Sequence, residues 1–205
     1  MTPTKQELVA AWLPRQPWYQ GPGDGSAVTP VGGFRLDDPA GEVGMELMIV
    51  SVSGGDEAVV YHLPMTYRGA PLEGDAGLIG TSEHGVLGRR WITDAVHDPV
   101  FVGVLLAFLR GETWAQHRTE SDTPDARYAP RLDLTGLVPA GGAADEADGT
   151  VVPVRDGAGT PYRLRIVRVL GTGDVGDDSA PGAVTGEWTD PDGAAARGPL
   201  VVVEA

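Results

Sequence analysis

The sequence predicts an α+β protein: an antiparallel sheet with a covering helix, followed by a smaller all-β C-terminal part. Three observations carry this reading. Met45 to Arg68, MELMIVSVSGGDEAVVYHLPMTYR, has the pattern of a β-hairpin, Pro99 to Leu109 repeats apolar residues at helical spacing, and beyond residue 150 only short β-rich runs remain. In the hairpin, two runs flank Ser53-Gly54-Gly55-Asp56, whose glycines tolerate the positive φ of tight turns. On the second run Val59, Tyr61, Leu63, Met65 and Tyr67 share one face, and Val60, His62, Thr66 and Arg68 share the other. The first run is apolar on both faces, with Met45, Leu47 and Ile49 opposite Met48, Val50 and Val52, which predicts a central strand.

Before the hairpin, Thr4-Lys5-Gln6-Glu7 has capping-box spacing, and Leu8, Ala11 and Trp12 follow at helical intervals. Pro14 disfavours helix at Leu13, and the exit Trp12-Leu13-Pro14-Arg15-Gln16-Pro17-Trp18-Tyr19 runs into the Gly/Pro-rich loop Gly21 to Gly25. Val28 to Leu36 reads as a first strand, with Asp37 to Gly41 as the turn into the hairpin. A loop is expected from Gly69 to Gly85, then a fourth strand from Val86 to Thr93 that carries Trp91 beside two arginines. Asp98-Pro99 is an N-cap followed by a first-turn proline. Phe101, Val104, Leu105, Phe108 and Leu109 then form an apolar stripe that must lie on the sheet, and Gly111 ends the helix.

Helix, antiparallel sheet and covering helix together predict a cystatin-like sandwich over residues 4–110, within a first domain of 1–118. Residues 119–149 read as a linker, polar and proline-punctuated at first and then acidic and small in Ala140 to Gly149. Residues 150–205 form a β-rich extension or lobe, with strands at Val151 to Arg155, Tyr162 to Leu170, Val184 to Trp188 and Leu200 to Glu204. The pattern leaves open whether they complete the first sheet.

At 205 residues the chain is long enough for a substantial core. Its formal net charge of -14 argues against nucleic acid and anionic membranes, which both call for clustered Lys and Arg, and otherwise serves solubility. The absence of cysteine excludes a disulfide framework, a thiol nucleophile and Cys-ligated metal, and suits the reducing cytoplasm. No signal peptide is expected, and no apolar run reaches membrane-spanning length. Arg, Ala, Gly and Val abound while Lys occurs once, the usage of a GC-rich, actinobacterial-type genome.

Four segments carry a resemblance: Trp12 to Tyr19, Tyr61-His62-Leu63-Pro64-Met65-Thr66-Tyr67-Arg68, Leu78-Ile79-Gly80, and Asp94-Ala95-Val96-His97-Asp98-Pro99-Val100-Phe101. In order and spacing they resemble the N-terminal cap domain of the maltokinases and related actinobacterial sugar kinases. In that family a cystatin-like cap precedes a kinase of the aminoglycoside-phosphotransferase type. Such a kinase needs a strand lysine on the nucleotide phosphates, an H-x-D-x-x-x-x-N run and a further metal-binding aspartate. Here the single lysine, Lys5, sits in a helix cap, none of the four histidines opens H-x-D, and too little chain remains for a C-lobe. The resemblance therefore implies a free-standing, non-catalytic cap, a binding or regulatory module in glucan, trehalose or amino-sugar metabolism. A sugar kinase or a trehalose or glucan enzyme is the partner it implies.

Other site patterns are weaker. Gly171-Thr172-Gly173-Asp174-Val175-Gly176 matches G-x-G-x-x-G, but acidic, helix-breaking residues follow where a dinucleotide site needs a helix. His62, His84, His97 and His117 form no H-x-x-x-H pair, so no metal site and no cofactor is assigned. Asp94 and Asp98, four apart near Trp91, resemble a sugar-hydrolysing pair, but the simpler roles are a turn residue for Asp94 and a helix N-cap for Asp98. Trp12, Arg15, Trp18, Tyr19 and Trp91 remain as candidates for partner or ligand binding, because aromatic rings with polar tips serve interfaces and sugar stacking alike. Arg15, Arg68, Arg89 and Arg90 are candidates for a polar rim and equally fit ordinary exposed arginines. The opposing reading is structural, with Trp12 anchoring the first helix and Trp18 sealing the sheet edge. An alternative function is a small-molecule binder, taking a sugar or sugar phosphate in a pocket under the curved sheet.

Overall fold

A computed structural model describes residues 1–21, 27–54, 57–120, 122–171 and 179–205. The chain opens with α1 (Lys5–Trp12), capped as the sequence predicts: the Thr4 side chain accepts from the Glu7 amide while the Glu7 carboxylate accepts from the Thr4 amide. Strands β1 (Ala27–Asp37), β2 (Gly44–Gly54) and β3 (Glu57–Arg68) form a meander, followed by the edge pair β4 (Leu78–His84) and β5 (Gly88–Asp94). Helix α2 (Pro99–Leu109) follows, with Asp98 accepting from the Val100 amide at its start and Gly111 at φ 72° after its end. Short strands β6 (Ala129–Leu132), β7 (Val138–Pro139) and β8 (Ala144–Glu146) precede β9 (Gly149–Arg155), β10 (Pro161–Val167) and β11 (Val169–Leu170). The hairpin of β12 (Gly182–Thr189) and β13 (Ala195–Glu204) ends the chain.

The strands run β4-β5-β3-β2-β1-β12-β13-β10-β9-β7, all pairings antiparallel, with β11 on β3, β6 on β12 and β8 on β9. Strand β2 lies inside the sheet between β3 and β1, and its two faces feed two cores. Met45, Leu47 and Ile49 join Phe34, the apolar side chains of α2 and the C-terminal strands, including Leu164, Leu200 and Val201. Met48, Val50 and Val52 join Val9, Trp12, Leu13 and Trp18 with Tyr61, Leu63 and Met65 of β3. Period-two alternation thus places α1 and its exit on one face and α2 with the C-terminal strands on the other.

Two expectations are corrected. The stretch from 69 to 85, expected as a loop, contains β4, an edge strand whose sequence LIGTSEH lacks apolar alternation. Gly80 within it lies against α1, since a Cβ there would meet Leu8 Cδ2 at 2.7 Å. The segment 119–149, expected as a linker, supplies β6, β7 and β8, too short at four, two and three residues to show a period. The C-terminal strands extend the first sheet through Gly32 opposite Trp188, where a Cβ on Gly32 would lie 3.1 Å from the Glu187 carbonyl. The hairpin turn residues 55–56 and most of the Gly21 to Gly25 loop lie outside the described residues.

Tyr128 fastens this junction. Its hydroxyl accepts from the Gly33 amide at 2.7 Å and donates to the Glu187 carbonyl at 2.9 Å, and its ring stacks on Phe34 at 4.5 Å. Tyr128→Phe keeps the ring but strands a buried amide, so we expect a loss of about 1–3 kcal/mol in urea unfolding with an unchanged m-value.

Candidate functional site

The aromatic stretch after α1 folds inward. Trp18 is 1% exposed and Trp12 6%, their rings meeting edge to face at 5.9 Å, and Trp18 also lies 6.0 Å from Tyr61. Tyr19 is half-buried and stacks on Tyr61 at 5.5 Å, whereas Arg15 is exposed and Trp91 half-buried. Of the five residues singled out as a contact surface, two are therefore core, because β2 and β3 present an apolar face that they help to cover together with Val9 and Leu13.

Behind Trp18 lies a buried polar group. The Arg168 guanidinium, 0% exposed, sits 5.0 Å from the Trp18 ring, donates from Nη2 to Asp94 Oδ2 at 2.6 Å and from Nε to Thr150 Oγ1 at 2.8 Å. Thr150 and the Trp18 indole both donate to Asp145. His62, also 0% exposed, donates from Nδ1 to the Val167 carbonyl. Burial, reinforced by the neighbouring Arg168 charge, depresses the His62 pKa from 6.5 to about 3. Asp94 is thus spent on Arg168. Asp98 is spent on α2 and on a bidentate pair with Arg68 at 2.6 and 2.7 Å. Burial acts to raise the Asp98 carboxyl, but Arg68 and the Val100 amide outweigh it and hold it below the usual range.

A second cluster carries no sequence motif. Glu46, 7% exposed on β2, accepts from Lys5 Nζ at 2.6 Å, the Tyr67 hydroxyl at 2.9 Å and Arg118 Nε at 3.2 Å. Burial alone would raise its pKa, yet these donors keep it lowered, while burial and the adjacent carboxylate push Tyr67 well up. The cluster floors a cleft of about 640 Å³ that Arg35 and Arg90 also line. Arg118 further lines a smaller cavity of about 450 Å³ with Arg127 and His117. The available signal was Glu46 itself, the one charged residue of a largely apolar strand, which demands a partner once buried. Nothing in the sequence points Lys5 or Arg118 toward it.

Among the described residues no group of three or more His, Asp or Glu side chains is placed to hold a metal, and no helix is long and apolar enough to cross a membrane. The glycine-rich motif from 171 to 176 falls, after Gly171, outside the described residues.

Residues 12–98 match the family model of the maltokinase N-terminal cap domain, so this part of the chain is cap-like, as the four ordered segments imply. The match covers less than half of the chain and ends at Asp98, the residue that caps α2. No curated protein matches the chain.

The burial of Trp18 gives a direct test. Trp18→Ala is expected to cost about 3–5 kcal/mol of stability, while Arg15→Ala stays within about 0.5 kcal/mol, both by chemical denaturation. The His62 pKa fixes a pH window. A folded-state value below the unfolded one means that the unfolded chain binds the extra proton, so stability falls as pH drops from about 6.5 toward 3. Between pH 6.5 and 4.5, above the carboxylate range, His62 contributes a decline of about 2–3 kcal/mol. His62→Gln should flatten the stability profile in that window.

Proposed function

We propose that this protein is a non-catalytic, maltokinase-cap-like module that binds a partner in glucan, trehalose or amino-sugar metabolism, with a sugar kinase as the leading candidate. The match of residues 12–98 to the maltokinase cap carries this reading. Two features support it. The residues after the match fold as α2 and strands of the same sheet, and Asp94 and Asp98 are occupied by structural pairs. The antiparallel sheet with α2 packed on it supports a cystatin-like core for the cap, and the lack of cysteine supports a cytoplasmic setting.

With Trp12 and Trp18 inside, we assign partner contact to Arg15, Tyr19, Trp91 and the tip of the β4–β5 hairpin. There Val86 and Leu87 are 87% and 58% exposed, and His84 accepts from both their amides. Exposed apolar side chains beside cations are the usual composition of a contact patch. The test is affinity capture with the tagged chain from lysate of its own host, with bound proteins identified by mass spectrometry. Retention of a sugar kinase or a trehalose or glucan enzyme, lost in Val86→Asp/Leu87→Asp and kept in Arg131→Gln, is the expected result. Phosphate transfer from ATP to a sugar, or sugar hydrolysis, by the purified protein overturns the reading.

A further inference from the structure

The cleft over Glu46 contains cations that the protein itself does not use. Four cationic side chains line it, Lys5, Arg35, Arg90 and Arg118, in a chain of net charge -14. Lys5 and Arg118 are committed to Glu46. Arg35 and Arg90 are half-buried, and among the described residues neither has an ion pair; Arg35 Nε is buried with no hydrogen-bond partner at all. Nε itself is shut off from solvent, so an acceptor in the cleft would meet the rest of the half-buried Arg35 guanidinium, which no carboxylate of the described residues engages.

The carboxylates of the same cleft do not supply that acceptor. Glu46 is neutralised by its three donors. Asp38 accepts from the amides of Ala40, Glu42 and Val43. Asp37 and Glu42 are exposed and, among the described residues, form no salt bridge, so they can accept hydrogen bonds from hydroxyl groups. Guanidinium forks match phosphate oxygens bidentately, and about 640 Å³ lies within the range of small-molecule sites.

We propose that this cleft binds a small phosphomonoester, its phosphate held by Arg35 and Arg90 and its hydroxyls by the carboxylates at the mouth. The proposal stands on the cleft alone and does not need the partner reading.

The experiment is a thermal-shift titration, repeated by calorimetry, of the full chain with glycerol 3-phosphate, glucose 6-phosphate, inorganic phosphate and glycerol. The two esters should raise Tm in a saturable way, inorganic phosphate less, and glycerol not at all. Arg90→Gln and Arg35→Gln should each weaken ester binding by about tenfold or more, with Arg89→Gln as the control, since Arg89 pairs with exposed Glu83 outside the cleft. Arg90 lies on the edge pair of strands, so its variant keeps the test alive if Arg35→Gln fails to fold. No shift with either ester, or binding unchanged in Arg90→Gln, overturns the proposal. So does an equal response to inorganic phosphate, which would mean that only the anion is held.

Discussion

A guanidinium with no exposure to water sits where the first and last parts of the chain meet, and its neutralisation constrains everything around it. Arg168 lies between β10 and β11, yet its counter-ion, Asp94, ends β5, and its hydroxyl partner, Thr150, belongs to β9. Removing an ion from water is costly, and an unpaired charge in a core costs several kcal/mol, so these groups are stable only in one mutual arrangement. Removing either partner would leave an uncompensated charge in the core. The backbone follows suit, as the His62 amide donates to the Arg168 carbonyl and β11 adds to β3.

That constraint explains why the aromatic exit of α1 is internal. A buried cation is best covered by a polarisable face, and Trp18 supplies one at 5.0 Å while its indole nitrogen reaches Asp145. Trp12, Tyr61 and Tyr19 then complete a ring cluster that closes the outer face of β2 and β3. The cap-like stretch, residues 12–98, thus shares its polar centre with residues 145, 150 and 168 beyond it.

The second buried charge obeys the same rule with a different result. Glu46 interrupts the apolar face of β2 and is satisfied by Lys5, Tyr67 and Arg118 from three separate parts of the chain. Gathering them leaves a groove between α1, the β1–β2 turn and the β4–β5 hairpin. Arg168 is sealed beneath aromatic rings, whereas the cluster at Glu46 opens to solvent, and this difference makes the latter the place where binding chemistry is available.

Local patterns alone determined the elements whose signals are local. The capping box at Thr4, the two-faced strand from Met45, the hairpin to Arg68, the Asp98-Pro99 start of α2 and its Gly111 stop all depend on residues within a few positions of one another. Edge strand β4 and the short β6 to β8 escaped because polar or two- to four-residue strands carry no period. Whether the C-terminal strands join the first sheet, whether Trp18 faces water or core, and which cations meet Glu46 were decided only in three dimensions. Each turns on partners such as Arg168 and Asp94, 74 positions apart, or Arg118 and Glu46, 72 apart, and on the cost of leaving a buried charge unpaired.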